Sequence, residues 1–291
     1  MDITLIFYNI MKGIFYLLFL SVLICRTASC ETINSPDSGE MSLLAINVGK
    51  ADCLLLRSGD SAYLIDTGTK KMADQVLEVL DSCGVDHLNG IILTHTHDDH
   101  TGGLKKIIES GIPVDAVYSS AYYVLKKEEG KHPVEKALKK TDMTVVWLKA
   151  GDEIMLDGGR LTVLGPVEKS DVENNNSLAL LAEGGGGSML LTGDMEFPEE
   201  QTLLQAGLLS PVNVIKIGNH GEGDATSEAL IAAVTPSLAV ISTNTKEEPD
   251  TPDPRVMKLL ERNQISVVQT QETDTGVLIT IKDGEVTTEY E

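Results

Sequence analysis

The sequence predicts a mixed α/β (α+β) domain in which two β-sheets pack face to face with helices outside. Three observations predict it. Short apolar or alternating runs of strand length fill the first third of the body. Runs of helical period are interposed between later strands. The same alternation then returns over a second half of comparable length, with no linker between the halves. Residues 42–48, 52–57 and 62–65 read as an antiparallel meander, broken at Gly49 and at Gly59-Asp60. In 71–83, Met72, Val76, Val79 and Leu80 recur at helical spacing, and Gly84 stops the run. Residues 90–94 form a short buried strand and 103–110 start a helix. The second half repeats the scheme. Strands are expected at 144–148, 161–164, 178–182, 189–192 and 214–217, then a helix at 227–234. A strand at 238–242, a helix at 254–262, and strands near Val267 and at 277–281 close the chain. The four glycines 184–187 lie between two strand runs and read as a hairpin turn. No helix start follows to make them a phosphate cradle.

Composition bounds the function. The chain has 291 residues, which allows one large domain or two small ones. A hydrophobic share of 42% and a charged share of 23% exclude a largely disordered chain, a collagen-like repeat and a multi-span membrane protein. The formal net charge of −21 repels polyanions at long range and argues against a broad grip on duplex DNA. Four cysteines are too few for a disulfide scaffold. Cys53 and Cys83 fall in the body, where a bond between them is open.

The first thirty residues read as an export address. An uncharged apolar run, 13–25, follows Lys12. Cleavage after Ala28 and lipidation of Cys30 as a lipoprotein are both open. An uncleaved anchor over 3–24 is the other reading, and Lys12 in its middle argues against it. Residues 31–41 are polar and turn-rich and read as a tether, which leaves 42–291 as the domain. The location implied is extracytoplasmic, with the membrane reached only through the signal or the lipid.

Three of the six histidines, His95, His97 and His100, fall within six residues, with Asp98 and Asp99 among them, directly after the 90–94 strand. A strand end running into a turn gathers such side chains around one point, and imidazole with carboxylate is the donor chemistry of zinc and related ions. His95-x-His97-x-Asp99-His100 resembles the signature of the metallo-β-lactamase superfamily. Leu64-Ile65-Asp66-Thr67-Gly68, Leu191-Thr192-Gly193-Asp194 and Ile215-Lys216-Ile217-Gly218-Asn219-His220-Gly221 resemble its other landmarks, in order. The narrower likeness is to the extracytoplasmic hydrolase domain of ComEC-type DNA-uptake proteins and their stand-alone relatives. Gly49-Lys50-Ala51-Asp52-Cys53, Asn174-Asn175-Asn176-Ser177-Leu178 and Thr226-Ser227 carry it, and it spans about residues 42–282.

The resemblance implies a four-layer αββα sandwich and a metal-dependent hydrolase. It implies His95 and His97 on one ion, Asp99, His100 and His220 on a second, and Asp194 bridging. Asp99 is the implied catalytic carboxylate. Asp66 either orients a ligand histidine or caps its turn. Asn176, Ser177 and Asn219 are candidates to face substrate, with a plain strand-entry turn as the other reading of the first two. Zinc is the default ion and manganese the alternative, with one or two ions bound. Two departures stand out. The lactamases proper carry a further ligand histidine where this chain offers only His132, read here as a non-ligand in a surface loop or helix start. The ComEC-like relatives carry paired histidines where this chain has Asn219-His220, and a His-Pro where it has Thr251-Pro252. His87 reads as structural.

The implied substrate is a small or oligomeric phosphodiester, with single-stranded nucleic acid first. Cell-wall or lipid headgroup phosphoesters come next. The competing classes are a lactone, lactam or thioester hydrolase, and a surface binding module with a weakened site. Within 105–140, eight lysines stand against five carboxylates, and Tyr122 and Tyr123 lie among them. The segment reads as a rim that guides an anionic substrate, or as a solvated helix face.

Overall fold

A computed structural model describes residues 39–124 and 131–291. The expectations for residues 1–30 and for most of the 31–41 tether lie outside the described residues, as do Lys126 and Lys127. Glu40 and Met41, assigned above to the tether, already belong to the first strand.

Strands β1 (Glu40–Ile46), β2 (Leu54–Ser58) and β3 (Ser61–Ile65) form the expected antiparallel meander. From β3 the chain changes mode. Helix α1 (Ala73–Ser82) leads to β4 (Gly90–Leu93), and α2 (Asp98–Thr101) with α3 (Leu104–Glu109) leads to β5 (Val117–Ser120). Helix α4 (Pro133–Leu138) then leads to β6 (Val145–Leu148). Each of these crossovers joins a parallel pair. The second half repeats the plan. Strands β7 (Glu153–Leu156), β8 (Gly159–Gly165), β9 (Ala179–Gly184) and β10 (Gly187–Leu191) are antiparallel neighbours. Helix α5 (Phe197–Ala206) then leads to β11 (Val214–Lys216), α6 (Glu228–Val234) to β12 (Leu238–Ile241) and α7 (Pro254–Arg262) to β13 (Ser266–Gln269), all parallel. Finally β14 (Gly276–Lys282) and β15 (Glu285–Tyr290) return to the first sheet beside β1. The sheets hold eight strands, ordered β15-β14-β1-β2-β3-β4-β5-β6, and seven, ordered β13-β12-β11-β10-β9-β8-β7.

The core between the sheets takes Leu43, Leu54, Leu56 and Ile92 from one side and Leu161, Leu180, Met189 and Val240 from the other. On the outer face of the second sheet, Ile215, Ala239 and Ile241 pack under Leu203, Leu230 and Leu260 of the helices. Leu44, Leu55 and Leu64 are buried as completely as their inward-facing neighbours, so β1 to β3 are covered on both faces. That explains their near-continuous apolar runs. Among the described residues, the result is the four-layer αββα sandwich.

The glycine run is the hairpin expected. Gly185 and Gly186 take φ of 63° and 79° between β9 and β10, and a Cβ on Gly185 would meet the Ile281 carbonyl oxygen at 2.1 Å. Helix α5 escaped the sequence pattern because it buries two carboxylates. Glu199 accepts from the Val167 N–H, and Glu200 from those of Thr226 and Ser227. Strand β15 escaped because it is an exposed polar edge. No helix among the described residues is long and apolar enough to cross a membrane.

Candidate metal centre

Asp66, His95, Asp194 and His220 all follow closely on the C-terminal ends of strands, namely β3, β4, β10 and β11. Those strands lie in parallel pairs, whose carboxyl ends gather loops at one edge of an α/β layer. The turns are tight. Asp66, Asn219 and His220 hold φ of 58°, 44° and 54°, a region that costs non-glycine residues energy and that collects at functional sites. Gly103 lets the motif turn pass the neighbouring loop. A Cβ there would meet the Thr67 carbonyl oxygen at 2.3 Å. The Thr67 N–H and hydroxyl both donate to the His100 carbonyl, at 2.7 and 2.8 Å, and lock the two turns together.

Six side chains converge. His100 Nε2 lies 3.1 Å from Asp194 Oδ2, and His95 Nε2 lies 3.8 Å from the same oxygen. His95 Nε2 and His97 Nδ1 are 3.0 Å apart. His220 Nε2 sits 3.4 Å from both Asp99 Oδ2 and Asp194 Oδ2. The donors fall into two groups whose atoms lie within 4.8 Å of one another: Asp99, His100, Asp194 and His220, and His95, His97 and Asp194. Asp194 is common to both. Buried His220 Nε2 and Asp194 Oδ1 make no hydrogen bond among the described residues. Four imidazoles, two carboxylates and orphaned donor atoms fit one or two divalent ions.

Electrostatics agree with that donor chemistry. Burial alone pulls His100 down, yet Asp194 and Asp66 beside it push it well above the usual histidine range. Burial opposes protonation of His220 too, and Asp194, Asp99 and Asp52 carry it up to about 9. Asp194 is pulled well below the carboxylate range by His100 and His220 despite its burial. Asp99 is also lowered against burial, chiefly by His220. His95 is the exception. Burial, with His100 next to it, drives it well below the usual value. The imidazoles thus neutralise carboxylates that would otherwise repel one another.

Behind this layer lies a second one. Asp66 Oδ2 accepts from the Thr94 hydroxyl at 2.7 Å and sits 2.8 Å from His100 Nδ1, while Oδ1 accepts from the Thr94 N–H. The carboxylate therefore fixes the ring whose far nitrogen faces Asp194. The Ser242 carbonyl does the same for His220, 3.0 Å from its Nδ1. Sequence reasoning missed two residues here. Lys216 is fully buried at the end of β11, where its ammonium pairs with Asp52, donates to the Gly193 carbonyl at 3.0 Å and lies 3.9 Å from Asp194 Oδ1. Burial works against its charge, but Asp52 and Asp194 hold its pKa above the usual lysine value. The available signal was a lysine inside the apolar run Val214–Ile217, which demands a buried partner.

Three substrate candidates are committed elsewhere. Asn176 is fully buried, accepts from the Ser170 N–H and donates to the Ser170 and Val172 carbonyls. Its amide clamps the 170–176 loop. Ser177 is fully buried, and its hydroxyl accepts from the Asp194 N–H at 3.2 Å. Asn219 turns its amide to Asp224 at 3.0 Å. His132 stands at the start of α4, as one of the two readings had it, but is buried, with its ring between Tyr123 and Trp147 at centroid distances of 4.5 and 4.9 Å. It stands in neither donor group. His87 lies at the surface with Nε2 2.9 Å from Asp115. Cys53 and Cys83 are buried thiols, not a disulfide. Tyr123 is half-buried and stacks one ring face on Trp147, with centroids 5.6 Å apart.

Comparison with known proteins agrees with this architecture. A family model described as the metallo-beta-lactamase superfamily matches residues 46–245. ComE operon protein 3 of Bacillus subtilis (strain 168) is 28% identical over 254 residues, which cover 78% of this chain and 32% of that protein. Recombination protein 2 of Haemophilus influenzae is 29% identical over 257 residues, covering 86% and 30%. Competence protein ComA of Neisseria gonorrhoeae is 25% identical over 236 residues, covering 79% and 31%. The chain spans about a third of the length of these relatives. Among solved structures, the metallo-beta-lactamase fold protein YhfI of Bacillus subtilis superposes with a TM-score of 0.55 at 14% identity, over 84% of this chain and all of that one. CmlA, a diiron beta-hydroxylase from Streptomyces venezuelae, gives 0.54 at 12% identity, over 88% and 55%. At such identities the likeness is one of fold.

Proposed function

The chain belongs to the metallo-beta-lactamase superfamily, with ComEC-type competence proteins as its relatives, and from that premise we propose that it is a metal-dependent phosphodiesterase or nuclease. The observation that carries the reading is the pair of donor groups joined at Asp194. His95 and His97 hold one divalent ion, zinc or manganese, and Asp99, His100 and His220 hold another. Asp194 serves both. Such ions supply Lewis acidity to a phosphoryl oxygen and make water acidic enough to attack near neutral pH. The rest is done by side chains. Asp66 and the Ser242 carbonyl hold His100 and His220 in register. The Lys216 ammonium holds Asp52 behind the site and favours the ionised form of Asp194. Asp99, the catalytic carboxylate of this reading, would share in holding the second ion and, with 34% of its side chain exposed where Asp194 keeps 4%, is the carboxylate that would accept a hydrogen bond from water or substrate entering the site.

The groups are unequal, with four donors in one and three in the other. The chain lacks the auxiliary histidines that the resemblance calls for, so one ion binds tightly and the second weakly. We place the protein outside the cytoplasm, on the apolar run 13–25 and Cys30. The test of function is hydrolysis of a chromogenic phosphodiester by the purified chain, loaded separately with zinc and manganese, with Asp99→Ala as control. Metal-dependent turnover that the control loses is expected. Stoichiometric metal with no phosphodiester turnover, together with hydrolysis of nitrocefin or a simple lactone, sinks the phosphodiesterase reading.

A further inference from the structure

A cleft of about 680 Å³ opens beside the proposed centre, and Asp98, Thr101 and Gly102 of the motif helix form part of its wall. Five lysines from four separate elements also line it: Lys50 from the β1–β2 turn, Lys70 and Lys71 from the β3–α1 loop, Lys105 from α3 and Lys136 from α4. In a chain of net charge −21 this convergence is unexpected. Among the described residues, two carboxylates, Asp98 and Glu247, stand in the same lining.

The lysines differ in how far they are neutralised. Lys50 is bound to Glu222 at 2.6 Å. Lys105 lies 3.8 Å from Glu109 with both side chains more than half exposed, a pairing worth little in water. Lys70, Lys71 and Lys136 are exposed and make no ion pair among the described residues. At about 0.15 M salt, charges beyond roughly 8 Å are screened. A ligand inside the cleft therefore feels these ammoniums and not the acidic remainder of the surface. The sequence expected a rim within 105–140. Among the described residues of that segment, Lys105 and Lys136 reach the cleft, and Lys106 is paired with Asp74. Lys50, Lys70 and Lys71 complete it from outside the segment.

We propose that this cleft binds the backbone of a phosphodiester polymer, seating consecutive phosphates on Lys70, Lys71, Lys105 and Lys136 beside the metal centre. The proposal rests on the phosphodiesterase reading for its purpose, but not for its test. Among the described residues no aromatic side chain lines the cleft, so what they offer is a grip on phosphates and not on bases. Binding is therefore independent of sequence and steeply dependent on salt. Each phosphate neutralised on a single strand contributes about −0.7 to the slope of log affinity against log salt, so four contacts give a slope near −2.8.

The experiment is fluorescence anisotropy of a labelled 12-mer of thymidine with the whole chain in EDTA, where neither metal nor turnover is needed. Wild type is expected to bind with a slope of about −3. Lys70→Glu, Lys71→Glu and Lys136→Glu together are expected to weaken binding at least tenfold. The corresponding glutamine triple should lower the slope by about 2 with little change of surface potential elsewhere. Lys139→Glu with Lys140→Glu, exposed on the same segment but off the cleft, should change affinity less than twofold. Poly(glycerol phosphate) at equal phosphate concentration separates the two sources of the polymer. Weaker competition than by unlabelled oligonucleotide assigns the cleft to nucleic acid, and stronger competition assigns it to a surface phosphopolymer. Absence of binding by wild type at 20 mM salt (roughly the regime where such contacts are strongest), or equal loss in the Lys139/Lys140 variant, overturns the proposal. Binding without any metal-dependent turnover leaves the cleft standing and removes the nuclease reading instead.

Discussion

The two halves of the sandwich share a plan but supply the centre differently. The first half delivers His95, His97, Asp99 and His100 in six consecutive residues after β4. The second half delivers Asp194 after β10 and His220 after β11, one per strand end. A run of ligands is set by a local turn and survives as long as that turn survives. Single ligands depend on the register of two parallel strands, which explains why the second half carries the braces. Lys216 sits in β11 itself and reaches Asp52, which belongs to the first half. The difference teaches that the shared carboxylate is the joint, and that the buried ion pair holds one half against the other.

The largest effect expected is at that joint. Asp194→Asn removes the one donor common to both groups, so the variant should lose both ions and at least about a thousandfold of turnover, on the order of 4 kcal/mol of barrier. Metal analysis beside kinetics checks it. Retention of one full equivalent of metal would break the view of Asp194 as the shared ligand. By contrast His97→Ala should cost only the weaker ion, since the four-donor group does not contain His97. Its signature in titration calorimetry is loss of the weak step with the tight step kept.

Next comes the brace. Lys216→Met keeps volume and strips the ammonium from a fully buried site, leaving Asp52, among the described residues, with only the more distant rings of His100 and His220, 3.9 and 3.8 Å away. Breaking a buried pair from one side costs about 3–5 kcal/mol. Denaturant unfolding should show that loss. Asp52→Asn in the same chain should return part of it, because the stranded charge is gone. A double variant no better than the single one would refute the coupling. Smaller again is Asp66→Asn. Its amide oxygen still accepts from Thr94, but the charge that steadies His100 is lost, and a fall of about 10- to 100-fold in affinity for the tighter ion is expected.

How much of this was legible in the sequence follows from how local each part is. The sandwich was legible because strand and helix runs alternate on their own periods, and the meander, the 184–187 hairpin and most helices stand where the pattern put them. Strands β5, β7 and β15 and helices α2 and α5 were not marked. α5 in particular hides Glu199 and Glu200 on its buried side, where a hydropathy pattern sees only acid. The cluster at 95–100 was legible from spacing alone, whereas Asp194 and His220 came only through resemblance. Asn176 and Ser177 carried two readings, facing substrate or a plain strand-entry turn, because polar residues at a strand entry look available. The Asn176 bonds to the 170–172 backbone are made within one loop, and the Ser177 bond to the Asp194 N–H joins two strand ends, and neither shows as a pattern of residue types. Lys216 and Asp52 are 164 positions apart in sequence, and only the packing of β11 against the β1–β2 turn makes them partners.

The smallest effect concerns the histidine outside the centre. The four histidines of the centre each have a carboxylate, carbonyl, hydroxyl or imidazole partner, while both ring nitrogens of His132 have none among the described residues. Burial, with Lys136 nearby, holds its pKa down to about 4. The folded state therefore keeps the ring neutral in a range where the unfolded chain, at about 6.5, takes up a proton. The unfolded state binds more protons between pH 6.5 and 4, so the contribution of His132 is fully present above about 6.5 and is lost as pH falls through that window. Between pH 7 and pH 5 the linkage is worth about 2 kcal/mol. His132→Phe keeps the aromatic contact with Tyr123 and Trp147 and removes the titration. Carboxylates titrating in the same range are common to both proteins, so the comparison cancels them. Urea unfolding at pH 7 and pH 5 should show the wild type losing more stability than the variant on acidification. Identical losses would mean that the ring is hydrated in the folded state, and that its partnerless nitrogens are satisfied by water.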